Sequence, residues 1–292
     1  HYRYLVLIKR FTVLLCAAFA IAGCASSAQT FVIDNPRDTP LIVRIDGNEL
    51  PIAAHASRPV NLTPGEHHLQ SAPLGDVRFI VYARGKGGLI NPTLAEYVIA
   101  QEVYVTGESK LANFGRIDHR IELGGVPFEG PYQKTHDLFI DRTWTFDVRE
   151  PVPDVQTVAH VDESGGRINT KIFTAPDFIA YVDPSGAYLR AQPAGYVAPH
   201  YAPEAAPAAL PPLDPVFEAH AGPLRELYAR YLHATTADAQ LQLQQEAHQA
   251  QMAFTAATAS LGSALPVEAH EAYNTFVETR SRLMGSAALV VP

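Results

Sequence analysis

The hydrophobic and polar positions along this chain follow two different periods. From Thr30 to about residue 182, short runs alternate between apolar and polar residues, and turn residues separate them. This alternation is typical of antiparallel β-strands. Beyond residue 213, apolar residues recur three and four positions apart, which is typical of amphipathic helices. The sequence therefore predicts a multi-domain α+β chain, with an antiparallel β-sandwich region followed by a C-terminal three-helix antiparallel bundle.

The clearest turn signal in the β region is Asp46-Gly47, which lies between two apolar alternations. It predicts a hairpin because glycine accepts the positive φ of such a turn. Longer strands are predicted at 77–83, 97–105, 139–148 and 168–182. Pro176 should lie at a bend or an edge of the last of these. Residues 106–137 show little periodicity except from Arg116 to Leu123, so we expect a long loop there.

Residues 191–213 are rich in proline and alanine, which predicts an extended linker between the β region and the helices. Pro223 opens the first predicted helix, Thr236 caps the second, and the third runs from about 266 to 284. The apolar seam of the second helix consists of Leu243, Ala247, Ala250, Phe254, Ala257 and Leu261. The glutamines expected to solvate its outer face are those at 242, 244, 245, 249 and 251.

The amino-terminal segment has the layout of an export signal. Lys9-Arg10 precedes a twelve-residue apolar core, residues 11–22. Such a core is too short to span a bilayer and is typical of a secretory signal peptide. The chain opens at His1, so we expect the translation start to lie elsewhere and give residues 1–8 no weight.

The end of this segment, Ile21-Ala22-Gly23-Cys24, resembles the lipobox of bacterial lipoproteins. The resemblance implies that Cys24 receives a diacylglycerol, that the preceding peptide is removed, and that the new amino terminus is acylated as well. About two acyl chains are enough for stable anchoring in a membrane. In these lipoproteins an aspartate after the cysteine causes retention in the inner membrane, so Ala25 implies the outer membrane.

Two short pieces of the first β region, Ile45-Asp46-Gly47 and Pro64-Gly65-Glu66-His67, resemble the small β modules of the PEGA type. The resemblance covers about forty residues, from Phe31 to Gln70. It implies an extracytoplasmic β-sandwich module and no chemistry.

The predicted organisation is therefore a signal peptide followed by two β modules, a linker and helices. The ranges are 1–23 for the signal peptide, 24–29 for the lipidated tether, 30–84 for a small β-sandwich-like module, 85–190 for a second β region, 191–213 for the linker and 214–287 for a helical hairpin or bundle.

Composition narrows the partners that we expect. Removal of the signal, which holds three basic residues and no acid, changes the formal charge from −8 to −11. A chain so acidic has no electrostatic footprint for nucleic acid. Cys16 lies within the signal, so the mature chain has only Cys24 and no internal disulfide is expected.

Catalytic and metal motifs are incomplete in this sequence. Asp162-Glu163-Ser164-Gly165-Gly166 resembles the nucleophile loop of trypsin-like proteases, but the nearby His160 is too close in sequence, so we expect a turn. Asn274 stands where a zinc-protease helix beginning at His270-Glu271 would need its second ligand. We expect no cofactor and no metal site.

His119 and His136 flank the predicted loop at 106–137 and could meet if it folds back. A hydrolase with its site on that loop is therefore one alternative, and a component or immunity partner of a secretion apparatus is another. The favoured hypothesis is a non-enzymatic envelope lipoprotein with a binding or scaffolding role. Its expected contacts are the membrane, through Cys24, and another envelope protein, through the C-terminal helices.

Overall fold

The computed structural model describes residues 2–7, 28–261 and 265–292, which form a mixed α/β chain with a β-rich region before the C-terminal helices. The strands are β1 Arg3–Leu7, β2 Gln29–Asn35, β3 Leu41–Ile45, β4 Asn48–Ile52, β5 Ala56–Leu62, β6 Gly65–Ser71, β7 Gly75–Val81, β8 Gly88–Ile90, β9 Tyr97–Val105, β10 His119–Leu123, β11 Val126–Gly130, β12 Tyr132–Thr135, β13 Phe139–Asp141, β14 Val155–Val158, β15 Gly166–Thr174 and β16 Ala288–Val290. The helices are α1 Ala175–Val182, α2 Ala187–Arg190, α3 Pro215–Tyr231, α4 Ala237–Thr258 and α5 Val267–Gly285, with one 3-10 helix at Glu108–Asn113.

The chain divides into two compact units, each built from separated segments. The first contains β1, Leu94–His136 and Thr143–Tyr201. The second contains β2–β8, Asp137–Arg142 and Ala202–Pro292. The units interleave along the sequence because β13 and β16 return to pair with the early strands β8 and β7.

The second unit contains two sheets, with strand orders β13-β8-β2-β5 and β16-β7-β6-β3-β4. The hairpin predicted at Asp46-Gly47 is confirmed, since β3 and β4 pair antiparallel around it. Both turn residues have positive φ, 51° at Asp46 and 80° at Gly47. Positive φ at both positions matches the right-handed twist of the two strands.

The three long helices occur in the predicted order, but the first begins earlier than expected. Asp214 caps α3 by accepting the Val216 N–H at 3.0 Å, and Pro223 lies inside the helix. The predicted cap of α4 is confirmed, because the Thr236 hydroxyl accepts the Ala239 N–H. None of the helices in the described part of the chain is long and apolar enough to cross a membrane.

The helices share one hydrophobic core with the strands of the second unit. The Tyr231 ring of α3 stacks on Tyr82, just beyond β7, with ring centroids 4.1 Å apart. The core joins both elements through buried side chains that include Ile80, Tyr82, Leu224, Tyr231, Phe254, Phe276 and Leu289. The sequence predicts a linker between the β region and the helices, whereas the helices pack directly against β7 and bury apolar side chains in common with it.

The proline- and alanine-rich segment differs in its two halves. Residues 191–201 form neither helix nor strand and are almost all exposed. Within 202–213, Ala206 and Leu210 are buried, and the Ala206 N–H donates to the Val290 carbonyl at 2.8 Å. Only the first half therefore has the exposure expected of a linker.

We expect limited proteolysis to cut first within residues 191–201, because exposed backbone without sheet or helix bonds fits a protease cleft. The nicked protein should elute undivided from a native sizing column, since the β16–β7 pairing and the common core hold the carboxyl-terminal fragment to earlier strands. Mass spectrometry identifies the cut. A first cleavage inside α3 or α4, or separation of the fragments without denaturant, would contradict this prediction.

In the sheet of the first unit, β15 pairs with the whole length of β9 along one edge. Along the other edge, β12 pairs with residues 97–100 and β1 with residues 104–105. β14 pairs with β1. The predicted strand at 168–182 is confirmed only as far as Thr174. Residues 175–182 form α1 instead, because Thr174 accepts the Asp177 N–H as a helix cap and Pro176 suits the first turn.

The segment 106–137, predicted as a long loop, contains the 3-10 helix and the three short strands β10, β11 and β12. Gly124 and Gly125 have φ values of 59° and 75° and turn β10 back onto β11. The side chains buried on one face of this hairpin are Ile121, Leu123, Val126 and Phe128. β12 then pairs with β9. The periodicity from Arg116 to Leu123 covers β10, whereas the five residues of β11 are too few for a clear signal.

The predicted strand at 139–148 is a strand only over β13. Trp144, Phe146 and Val148 are nevertheless buried, as their alternation predicts. The backbone N–H groups of Thr145 and Phe146 both donate to the Thr170 carbonyl in place of a continued ladder. The alternation of apolar and polar residues therefore predicted which side chains are buried, but it did not predict that the strand ends at Asp141.

Candidate functional site

The residue expected to carry the lipid, Cys24, lies outside the described residues, as does most of the predicted signal. The described part of that signal is β1, which pairs in parallel with β9 and β14. Its Arg3 contacts the carboxylate of Glu102 at 3.2 Å, and Glu102 is only 6% exposed. The Tyr181 hydroxyl also donates to Glu102, at 2.7 Å.

The two histidines of the predicted hydrolase site have separate surroundings. His119 is exposed at the start of β10, where it pairs with Gly130. His136 stacks on the Tyr201 ring, with centroids 3.6 Å apart and planes 16° apart. Within residues 2–7, 28–261 and 265–292, no three His, Cys, Asp or Glu side chains gather as a metal site would require.

The turn predicted around Ser164 is confirmed. The Ser164 N–H donates to the Asp162 carboxylate at 2.9 Å, and Gly165 has a φ of 75°. Asp162 accepts this bond together with the Ser164 hydroxyl, which holds its pKa below the ordinary range. The motif is thus an Asp-stabilised turn.

A buried lysine in the first unit is satisfied by the backbone. Lys171 is 3% exposed, and its ammonium donates to the carbonyls of Val148 and Ile172 at 3.0 and 2.7 Å. Burial lowers its pKa to about 8. Carbonyl partners explain its position as a structural tie between β15 and the segment before β14.

A cleft of about 460 Å³ in the second unit brings together polar groups from three separate parts of the chain. It lies between the middle of α4, the last turn of α5 and the turn after β7. The lining residues are Arg84, Gly85, Gln244, Ala247, His248, Gln251, Arg280, Ser281, Met284, Gly285 and Ser286. Its volume lies within the roughly 300–1,000 Å³ range of small-molecule sites.

Local sequence explains how each wall is formed. Gln244, Ala247, His248 and Gln251 are three, four and seven positions apart, so they share one face of α4. The turn after β7 comes close to the chain beyond α5, and a Cβ at Gly85 would lie 2.6 Å from the Ala287 Cα. Glycine is therefore needed for this close approach.

The charge of the cleft is positive in a chain that is acidic overall. Arg84 and Arg280 line it, and none of the described lining residues is acidic. The Nε of Arg280 is buried without a hydrogen-bond partner among the described residues, and burial lowers the pKa of its guanidinium. The group stays charged, since arginine does not deprotonate in proteins. A partly buried charge without a counterion is unfavourable, so the cleft favours an anion.

Two glutamine amides of the cleft wall, Gln244 and Gln251, each have a buried oxygen without a hydrogen-bond partner in the described part of the chain. The Tyr231 hydroxyl donates its proton to the Met284 carbonyl, so it accepts from the Gln244 Nε2 at 3.2 Å. That bond fixes the orientation of the amide, and its Oε1 is buried without a partner in the described part of the chain. The Gln251 amide donates to Thr255 at 3.0 Å, and its Oε1 is also buried and unpartnered there.

A second surface depression, of about 470 Å³, lies over β3, β6 and β7. Its Arg44 already pairs with Glu49 at 2.9 Å, and Asp76 also lines it. The charges there are balanced within the protein, so the cleft beside α4 and α5 is the stronger candidate for a ligand site.

The sequence predicted Gln244 and Gln251 as solvent-facing, whereas both are half-buried at the wall of the cleft. The available signal was a polar stripe along α4 that includes His248. A polar stripe on one helix is most often a solvated face. The sequence does not show that Arg280 lines the same cleft, so the cleft wall could not be distinguished from a solvated face.

The arrangement can bind an anion through guanidinium groups. Its chemistry has to be inferred from these side chains. No protein-family model, no curated protein and no solved structure matches the chain.

Proposed function

We propose that this protein is a lipoprotein of the bacterial envelope, anchored in the outer membrane through Cys24, with a non-enzymatic binding role. The anchoring is supported by the basic stretch, the apolar core and the final Ile21-Ala22-Gly23-Cys24 of the leader. The observation that carries the binding role is the cleft beside α4 and α5, where Arg280 is partly buried without a counterion among the described residues.

We propose further that α3, α4 and α5 form an antiparallel bundle seated on β7, and that residues 191–201 are the linker. Ring contacts between α4 and α5 support the bundle: Phe254 stacks on Tyr273 with centroids 5.5 Å apart and lies 5.7 Å from Phe276. Arg225 of α3 lies over the Phe276 ring at 5.1 Å. Each helix thus touches another through a large side chain.

The tether limits how far the second unit extends from the membrane. Gln29, the first residue of β2, is five positions beyond Cys24, and five residues span at most about 17 Å when fully extended. The unit that carries the cleft would therefore lie close to the lipid headgroups.

Processing before Cys24 would also remove β1. Glu102 would then lose Arg3, while its bond from the Tyr181 hydroxyl would remain. The edges of β9 and β14 that pair with β1 would be freed as well. The mature first unit would accordingly differ from the precursor at this point of its sheet.

We expect Cys24→Ser to abolish incorporation of radiolabelled palmitate, because a hydroxyl does not replace the thiol as the acceptor of the lipid. Cells that express the variant should accumulate the longer, unprocessed chain on a gel. Cys16→Ser is the matched control, since it replaces the other cysteine of the leader and should leave labelling unchanged. Label in the Cys24→Ser protein, or loss of label in the Cys16→Ser protein, would contradict the anchor.

A further inference from the structure

We propose that the mature first unit binds an extended segment of another envelope protein in the gap that β1 leaves in its sheet. The segment adds as a parallel strand and carries an arginine followed, two positions later, by an aliphatic residue. This inference rests on the processing before Cys24 proposed above. It concerns a surface separate from the cleft beside α4 and α5, and β1 itself shows what the gap accepts.

The gap has the width of one strand. β1 lies between β9 and β14, and it is the only strand that pairs with β14 in the described chain. Neighbouring strands are about 4.8 Å apart, so β9 and β14 are separated by roughly 10 Å where both pair with Tyr4. Loss of β1 leaves peptide N–H and C=O groups free on both sides of this gap. Pairing of a partner's strand with such free edges is a recurrent mode of peptide binding.

The pairing of β1 defines the direction of the incoming strand and the side chains that it presents. β1 runs parallel to both neighbours. Because successive side chains of a strand point to opposite faces, those at positions 3 and 5 share one face and those at positions 4 and 6 share the other. Leu5 is buried, whereas Tyr4 and Val6 are about half exposed. Selection by side chain therefore falls on the first and third positions of the segment.

The first of these positions lies in a site that matches a guanidinium. The Arg3 Nε contacts the Glu102 carboxylate at 3.2 Å. Its Nη1 donates to the Pro153 carbonyl at 3.1 Å and to the Asp154 carboxylate at 2.7 Å. Its Nη2 donates to the Tyr181 hydroxyl at 2.9 Å. Acceptors thus surround all three nitrogens, and this spread fits the planar fork of arginine better than the single ammonium of lysine.

Removal of Arg3 leaves Glu102 without a counter-charge. Glu102 is buried, and the Tyr181 hydroxyl donates to only one of its two oxygens. The other oxygen bonds to Arg3 alone in the described chain. A buried carboxylate without a cation is unfavourable, so the mature site favours a new guanidinium at the same place.

The third position of the segment lies over a small apolar core. Leu5 forms a buried cluster with Tyr104 and Phe146, and Val152 and Val158 pack against it. Loss of Leu5 uncovers this cluster. An aliphatic side chain two positions after the arginine covers it again, which is favourable because it removes apolar surface from water.

A different protein is the favoured occupant, because a second copy of the mature chain has lost its own β1 as well. The chemistry expected of that partner is an exposed, extended segment with the pattern arginine, any residue, aliphatic residue. The backbone pairing supplies contacts that do not depend on sequence.

The test is a titration of a fluorescent peptide, with the sequence of residues 2–7, by the processed lipoprotein in neutral detergent. Fluorescence anisotropy should show saturable binding. Arg3→Gln in the peptide should weaken binding about tenfold or more, because it removes charge-assisted hydrogen bonds. Val6→Thr is the matched control peptide, since position 6 is half exposed and threonine suits a strand equally well, so its binding should be unchanged.

Two further measurements assign the binding to the gap. Glu102→Gln in the protein should weaken the parent peptide about tenfold but leave binding of the Arg3→Gln peptide unchanged, because the two substitutions remove the same contact. Binding should also protect the amides of residues 155–158 from hydrogen exchange, since β14 regains a neighbour. The peptide variants require no change in the protein, so they remain informative if Glu102→Gln does not fold.

No saturable binding, or equal binding of the parent and Arg3→Gln peptides, would overturn the proposal. A leader fragment that copurifies with the processed chain would also overturn it, since the gap would keep its own strand. Dimers that dissociate on addition of the peptide would assign the gap to a second copy and overturn the partner. The mass of the purified chain reads processing separately: retention of residues 1–23 overturns the processing, whereas failed binding by a chain that begins at Cys24 leaves the anchor intact.

Discussion

Replacing Phe254 by alanine is expected to lower the free energy of unfolding by about 3–5 kcal/mol, because it removes a buried ring and leaves a cavity. Phe254 is 2% exposed and packs between Tyr273 and Phe276 of α5. Such a loss is a large fraction of the total stability of a typical protein.

The effect should spread beyond the helices. Phe254 belongs to the core that also contains Ile80 and Tyr82, so amides of β7 should lose protection from hydrogen exchange together with those of α4. Urea denaturation followed by circular dichroism measures the loss of stability. Met252→Ala is the matched control, since Met252 lies on the same helix and is 61% exposed. Loss of protection in the helices with β7 unchanged would contradict the common core and show that the helices unfold independently.

Gln240→Leu is expected to lower the free energy of unfolding by about 3 kcal/mol or more, because it removes three hydrogen bonds to backbone groups at about 1–3 kcal/mol each. Gln240 is fully buried. Its amide donates to the carbonyls of Val81 and Ala234 at 3.0 and 2.8 Å. Its oxygen accepts the Ala83 N–H at 2.9 Å. This one side chain thus bonds the start of α4 to the end of β7.

The same denaturation experiment checks this prediction. Gln242→Leu is the matched control, because Gln242 is exposed two positions beyond Gln240 on the same helix and bonds only to Glu246 in the described chain. We expect that control to change stability by less than about 0.5 kcal/mol. Equal stabilities for wild type and Gln240→Leu would show that solvent or another side chain replaces all three bonds.

Local pattern predicted the parts of the fold that depend on neighbouring residues. The bounds of β9, the Asp46-Gly47 hairpin and the Thr236 cap were all predicted correctly. Each depends on backbone geometry and side-chain period within a few residues. The start of α1 was not predicted, although the Thr174 cap is an equally local signal. The alternation at 168–174 indicated a strand, and the apolar residues after it were assigned to the same strand.

The seam of α4 shows where period stops being sufficient. Leu243, Ala247 and Phe254 are buried as predicted, whereas Ala257 is exposed and Thr258 is buried in its place. The period identifies a face of a helix, but the neighbours decide where along the helix that face is covered.

The sequence by itself determined the division into β-rich and helical parts and most buried faces, because these follow from composition and short-range period. The proposed export signal with its lipidation motif also comes from the sequence. Only the tertiary structure decided that Gln240 is buried and that Gln244 and Gln251 line a cleft. The physical reason is that the partners of these side chains are far away in sequence. Gln240 bonds to Val81 across 159 positions. Arg84 follows β7 and Arg280 precedes β16, and these two strands pair.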